Sequence, residues 1–273
     1  MSISTRVRPA AAAVFAAILA LATAIPAQAA PTRIRYDALG DSFAAGTGAG
    51  DPLDPCARTA APHPQILSGR MQLQLDDFAA CAGAGLDHVA MQIQTALDAE
   101  TRLVTLSLGG NELDWITAIQ TCATFPGSCA LIAEQGRQTA ALLPTALVPI
   151  YAAARAMAPN AQLVVTGYPR LFSPEYGDYS GVYMGMPFTL PAEDQTGLNS
   201  VIDALNTSIA QAALAVPGTR YVDVTQRFIG HGVNAPSAWI TGASAAAPLH
   251  PTSQGQRAYA AAVTAVVEPG ALR

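Results

Sequence analysis

Apolar positions along the chain fall into two alternating patterns. Short, nearly continuous apolar runs predict buried strands at Arg33–Leu39, Asp77–Cys81, Arg102–Leu108, Gln162–Thr166 and Arg220–Val224. Between them lie stretches of helical character: Ile66–Leu75, Asp87–Leu97, Leu131–Ala158, Thr196–Val216 and Gln254–Val267. In the second of these, Val89, Ile93 and Leu97 recur every fourth residue, and Asp87 is placed to cap the helix. Pro144 and Pro149 must kink or divide the third. Alternation of strand and helix predicts an α/β fold with a parallel sheet covered on both faces. Residues 47–64, rich in glycine, proline and aspartate, read as a loop. Residues 168–190 carry Tyr168, Phe172, Tyr176, Tyr179, Tyr183 and Phe188 among glycines and prolines, too irregular for a helix. The strands end in Gly-, Pro- or Ser-rich turns, the side on which open α/β sheets bind ligands.

The first 29 residues change the picture of what the mature protein is. Arg6 and Arg8 precede an apolar run, Ala10–Ile25, and Ala27-Gln28-Ala29 supplies small residues around a cleavage point. This predicts an export signal cleaved after Ala29 and a single domain over 30–273. The run is short for a retained membrane span. Of the 273 residues, 244 then remain, with 12 arginines against 19 acids and no lysine, a net charge of −7. That balance, without a basic run, argues against nucleic acid and against capture by anionic membranes. A secreted, monomeric protein with no stable membrane insertion is expected.

Four cysteines in an exported chain point to two disulfides. Three pairings are possible. Cys56–Cys81 with Cys122–Cys129 is favoured, because Cys122 and Cys129 flank a turn-rich hexapeptide. The spacings lack the paired pattern of a zinc site, so no metal is expected.

Candidate chemistry gathers at four places. Gly40-Asp41-Ser42 follows the first strand, Cys81-Ala82-Gly83-Ala84 the second and Gly109-Gly110-Asn111-Glu112 the third, while Leu249-His250-Pro251 precedes the closing helix. A serine at a strand-to-helix turn projects beyond the sheet and borrows the free N–H groups of the helix start. In this order the blocks resemble the SGNH (GDSL) hydrolase superfamily, and its secreted bacterial lipases and esterases most closely. Phe228-Ile229-Gly230-His231, followed by Ala238-Trp239-Ile240, is similar to a further region of those enzymes. The resemblance spans nearly the whole mature chain. It implies a three-layer α/β/α sandwich on a mostly parallel, flavodoxin-like five-stranded sheet. It also implies Ser42 as nucleophile and His250 as general base, with the Ser42 and Gly83 N–H groups and the Asn111 amide as oxyanion donors. Asp41 beside the serine reads as a cap for the turn, and His63, His88 and His231 as structural or surface groups.

Two departures from the family pattern bear on mechanism. Many members place an aspartate three residues before the histidine; here that position is Ala247 in an Ala245-Ala246-Ala247 run. Some secreted members use a backbone carbonyl instead, so the Ala247 carbonyl is expected to orient His250, with Asp223 as a remote alternative. Glu112 stands where aspartate is usual. The related lipases also often carry a third disulfide; the position of one of its cysteines falls near Asn234, and both partners are lost here together. The reaction implied is hydrolysis of a small-molecule or lipid carboxylic ester through an acyl-enzyme, with no cofactor. Tyr168, Phe172, Tyr183 and Phe188, with Met184 and Met186, are candidate lining for the acyl pocket. Polysaccharide O-deacetylase and phospholipase A are alternatives on the same machinery, and a non-catalytic surface- or carbohydrate-binding protein is the alternative outside it.

Overall fold

The computed structural model describes residues 1–3, 33–125, 127–183 and 185–272. All but the first three residues of the expected leader, and Met184, lie outside them. The central sheet is built from β1 (Ile34–Gly40), β2 (Leu73–Phe78), β3 (Leu103–Ser107), β4 (Gln162–Thr166) and β7 (Thr219–Val222), in the order β2-β1-β3-β4-β7. Every pairing in it is parallel. β3 and β4 are buried at all positions, which is why they read as nearly continuous apolar runs and not as alternating ones. Helices α3 (Leu86–Ala96), α6 (Pro144–Met157) and α7 (Ala192–Ala215) pack in series on one face, with α5 (Cys129–Leu142) against α7. Helices α2 (His63–Ser68) and α8 (Ser253–Val266) pair on the other face. This is the three-layer, flavodoxin-like arrangement, and its strand order reverses between β1 and β3.

Two elements differ from the sequence reading, and a third is divided where its prolines predicted. The helix expected over Ile66–Leu75 stops at Ser68, and the chain turns through Met71 and Gln72, both at positive φ. Leu73 and Leu75 belong to β2, paired with Ile34 and Tyr36, so the second strand begins four residues before the position expected. Two leucines two residues apart serve a half-buried edge strand as well as a helix, and pairing with β1 decides. The aromatic stretch contains an antiparallel hairpin, β5 (Tyr179–Tyr183) with β6 (Met186–Leu190), turning at Gly185. The long helix expected from Leu131 is divided at Pro144, the first residue of α6.

Cys56 is bonded to Cys81 at an S–S distance of 2.06 Å, and Cys122 is paired with Cys129. The first bond ties the loop before α2 to the turn after β2. The second joins α4 (Trp115–Thr124) to α5. Asn234, near the position of the lost cysteine, is hydrogen-bonded to the segment after β4. Its amide nitrogen donates to the carbonyls of Ser173 and Gly177, and its Oδ1 accepts from the Ser173 N–H. Among the described residues no single helix is long and apolar enough to cross a membrane.

Candidate active site

β1 delivers its last residue, Gly40, level with Ser107 of β3. Gly40 has φ +124°, and a Cβ there would lie 2.4 Å from the Ser107 carbonyl oxygen, so only glycine fits. Gln92 of α3 clamps the same peptide from the other side: its Oε1 accepts from the Gly40 N–H at 2.7 Å and its Nε2 donates to the Gly40 carbonyl at 3.1 Å. The chain then turns into the single helical turn α1 (Ser42–Ala45), capped by Asp41, whose Oδ1 accepts from the Phe43 N–H at 3.0 Å. The Ser107 hydroxyl donates to the same oxygen at 2.6 Å and the Tyr168 hydroxyl to the other. Burial pushes the Asp41 carboxyl up, and these three bonds oppose it. Asp41 therefore caps the turn, as expected of it, with Ser107 and Tyr168 as its side-chain partners.

Ser42 Oγ lies 2.8 Å from His250 Nε2, across 208 residues of chain. The imidazole is held between two aromatic rings, with Phe43 at 5.4 Å and Trp115 edge-on at 5.8 Å between ring centroids. On its far side Nδ1 is 2.8 Å from the Pro248 carbonyl oxygen. This corrects the expectation for Ala247. The Ala247 carbonyl already accepts from the Thr241 hydroxyl at 2.5 Å, and the same hydroxyl accepts from the His250 N–H at 3.0 Å. Leu249, at φ +60°, reverses the chain so that the carbonyl two residues before the histidine reaches its ring. Asp223, the remote alternative, accepts from the Thr225 N–H and caps a turn. Burial pushes the His250 imidazole below its ordinary range, against the pull of the Pro248 carbonyl and the Asp41 charge. It is neutral at pH 7 and able to take a proton.

The oxyanion candidates come from the turns after β2 and β3. Ala82 and Ala84 donate their N–H groups to Cys56 and Cys81 carbonyls. Gly83 between them, at φ +77° with open space where a Cβ would be, donates to no acceptor among the described residues. Ser42 begins a helix, so its N–H has no intrahelical partner. Asn111 Nδ2 donates to the Ala84 carbonyl at 2.9 Å, which orients the amide and leaves its second N–H. Glu112 accepts from the Leu86 N–H at 2.8 Å, so its longer side chain caps α3 and joins the Asn111 turn to it.

The four candidate pocket aromatics separate. Tyr183 and Phe188 line an apolar cavity of about 190 Å³ with Trp115, Tyr179, Met186 and Leu249. Tyr168 does not; its ring is buried and its hydroxyl bonds Asp41. Phe172 is likewise core. Aromatic content alone does not distinguish a pocket wall from a core residue. Of the other histidines, His63 is buried against Gln256 and stacked on Tyr259, His231 stacks on Trp239, and His88 is exposed on α3. Sequence reasoning missed Thr241, Gln92 and Trp115. The place of Thr241 directly after the Trp239-Ile240 pair was its only signal.

Residues 38–258 match the model of the GDSL-like lipase/acylhydrolase family. The chain belongs to that family. Lipase 1 of Streptomyces coelicolor is 34% identical over 253 residues, covering 89% of this chain and 91% of that protein. The crystal structure of the extracellular lipase from Streptomyces rimosus superposes with a TM-score of 0.76 at 27% identity, covering 86% of this chain and all of the other. The phospholipase A1 from Streptomyces albidoflavus superposes with a TM-score of 0.73 at 28% identity and the same coverage. As a GDSL-like lipase/acylhydrolase, the protein is a carboxylic ester hydrolase. In its sheet, the serine of the family's name stands at the carboxyl end of β1, where the strand order reverses.

Proposed function

We propose that this chain is a secreted serine esterase or lipase that acts through an acyl-enzyme on Ser42. The observation that carries this reading is the 2.8 Å contact between Ser42 Oγ and His250 Nε2, beside an apolar cavity lined by Trp115, Pro248 and Leu249. Ser42 Oγ attacks the ester carbonyl carbon while its proton passes to Nε2. The Ser42 and Gly83 N–H groups and the Asn111 amide hold the oxygen that becomes negative. Collapse breaks the carbon–oxygen bond to the alcohol, which leaves with the proton from Nε2. Water then attacks the acyl-enzyme by the same route and frees Ser42. The Pro248 carbonyl keeps the Nδ1–H tautomer and the ring angle; as a neutral acceptor it gives the imidazolium less support than a carboxylate does. The predicted leader, and the extracellular lipase among the relatives, support export with cleavage after Ala29.

A phospholipid ester is a second substrate on the same machinery, favoured by the likeness to a phospholipase A1. The test is hydrolysis of p-nitrophenyl butyrate and a dispersed phospholipid by residues 30–273, beside Ser42→Ala and His250→Ala. Each variant is expected to lose about 10⁴-fold or more in kcat while remaining folded. Retention of rate in Ser42→Ala removes the proposal. Turnover of the butyrate alone removes the phospholipid reading.

A further inference from the structure

The apolar cavity has two walls of different origin. One is α4, which presents Trp115, Ile119 and Gln120, and a turn further on Ala123 and Thr124. The other is the β5–β6 hairpin, with Tyr179, Tyr183 and Phe188. At the near end the wall meets the machinery directly: Trp115 lies edge-on to the His250 ring, and Pro248 and Leu249 line the same space. Moving along α4 therefore means moving away from Ser42.

Among the described residues, one side-chain hydrogen bond joins α4 to the hairpin across this largely apolar space. Gln120 Nε2 donates to the Tyr183 hydroxyl at 2.6 Å. At 1.5 Å per residue, Gln120 lies about 7.5 Å along the helix axis from Trp115. With carbon–carbon bonds of ~1.5 Å in an extended zigzag, about six carbons span that distance. Beyond it, α4 offers Ala123 and Thr124, whose small side chains leave room for a longer chain. We infer that the Gln120–Tyr183 hydrogen bond is a clasp that sets acyl length: it narrows the cavity and disfavours chains much longer than about six to eight carbons. The inference rests on the esterase reading above and names its substrate class, esters of short to medium fatty acids. The clasp discriminates because a longer chain must either break a partly buried hydrogen bond or leave its end in water.

The experiment is a chain-length series of p-nitrophenyl esters, from butyrate to palmitate, with wild type, Gln120→Ala and Tyr183→Phe. Tyr183→Phe removes one oxygen and keeps the ring, so it tests the bond even where the alanine variant unfolds. Wild-type kcat/KM is expected to peak between about four and eight carbons and to fall by dodecanoate. In both variants the dodecanoate-to-butyrate ratio of kcat/KM is expected to rise about tenfold, the gain from burying about two more methylenes. A ratio unchanged in folded Tyr183→Phe overturns the clasp, and so does a loss shared equally by every length. A folded wild type inert on every ester overturns the esterase reading, and the clasp with it.

Discussion

Thr241 bonds at both ends of the segment that carries His250, donating to the Ala247 carbonyl and accepting from the His250 N–H. Its backbone pairs with the same segment, N–H to the His250 carbonyl and carbonyl to the Leu249 N–H. Four bonds from one residue thus fix where the imidazole stands over Ser42. Valine at this site keeps the shape and removes both hydroxyl bonds, leaving a donor and an acceptor without partners. Thr241→Val is expected to lower kcat by about 10–100-fold with little change in KM, since a misplaced base weakens proton transfer and not ester binding. Thr241→Ser is expected to restore most of the loss. The same kinetics read the pH dependence. kcat/KM of wild type rises with pH as His250 loses its proton, with a midpoint below the ordinary histidine value of ~6.5. Equal falls in kcat and 1/KM, or no rescue by serine, mark Thr241 as a residue of general stability only.

At the scale of the element, the β1–α1 junction converts a parallel strand into a support for Ser42. It does so with groups from three other elements: Gln92 of α3, Ser107 of β3 and Tyr168 after β4. Gly40 is the point with no steric freedom. Gly40→Ala places a methyl within 2.7 Å of the Ser107 backbone nitrogen and 2.4 Å of its carbonyl oxygen, at a φ that alanine avoids. The expected outcome is a loss of several kcal/mol, about 5–10 °C in thermal midpoint for a domain of this size, together with loss of activity. An unchanged midpoint in calorimetry excludes the steric argument. The junction was legible in the sequence as a strand, a glycine and a serine before small residues. Its supports were not, because Gln92, Ser107 and Tyr168 are ordinary residues whose role exists only once β3 and β4 lie beside β1.

At the scale of the whole molecule, α2 and α8 are joined to each other and to α1 through buried polar groups as well as through apolar packing. Gln256 of α8 accepts from the His63 N–H of α2 at 2.8 Å and donates to the Phe43 carbonyl of α1 at 3.0 Å. His63 is fully enclosed there, and burial pushes it down to about 4. A histidine whose folded value lies below its unfolded ~6.5 stabilises the fold fully above pH 6.5, and that contribution is lost as pH falls toward 4. The size is on the order of 3 kcal/mol. The thermal midpoint of wild type minus that of His63→Gln is therefore expected to shrink between pH 6.5 and 4; Asp41, also buried, titrates in both proteins and cancels in the difference. A difference independent of pH contradicts the assignment.

What the sequence determined by itself was the alternation of strands and helices and the class of fold, and it named Ser42, Gly83, Asn111 and His250 as candidates. Each of these rests on local chemistry: apolar runs, a glycine where the chain must turn, and short blocks in a recognisable order. The tertiary structure decided the rest. It chose the Pro248 carbonyl over that of Ala247, through one positive φ and one threonine hydroxyl. It sent Tyr168 and Phe172 into the core and Tyr183 and Phe188 to a cavity wall. It also folded the aromatic stretch into a hairpin facing α4. The physical reason is the same in every case: the direction of a carbonyl or a ring is set by partners distant in the chain, and the residue's own neighbours leave it undetermined.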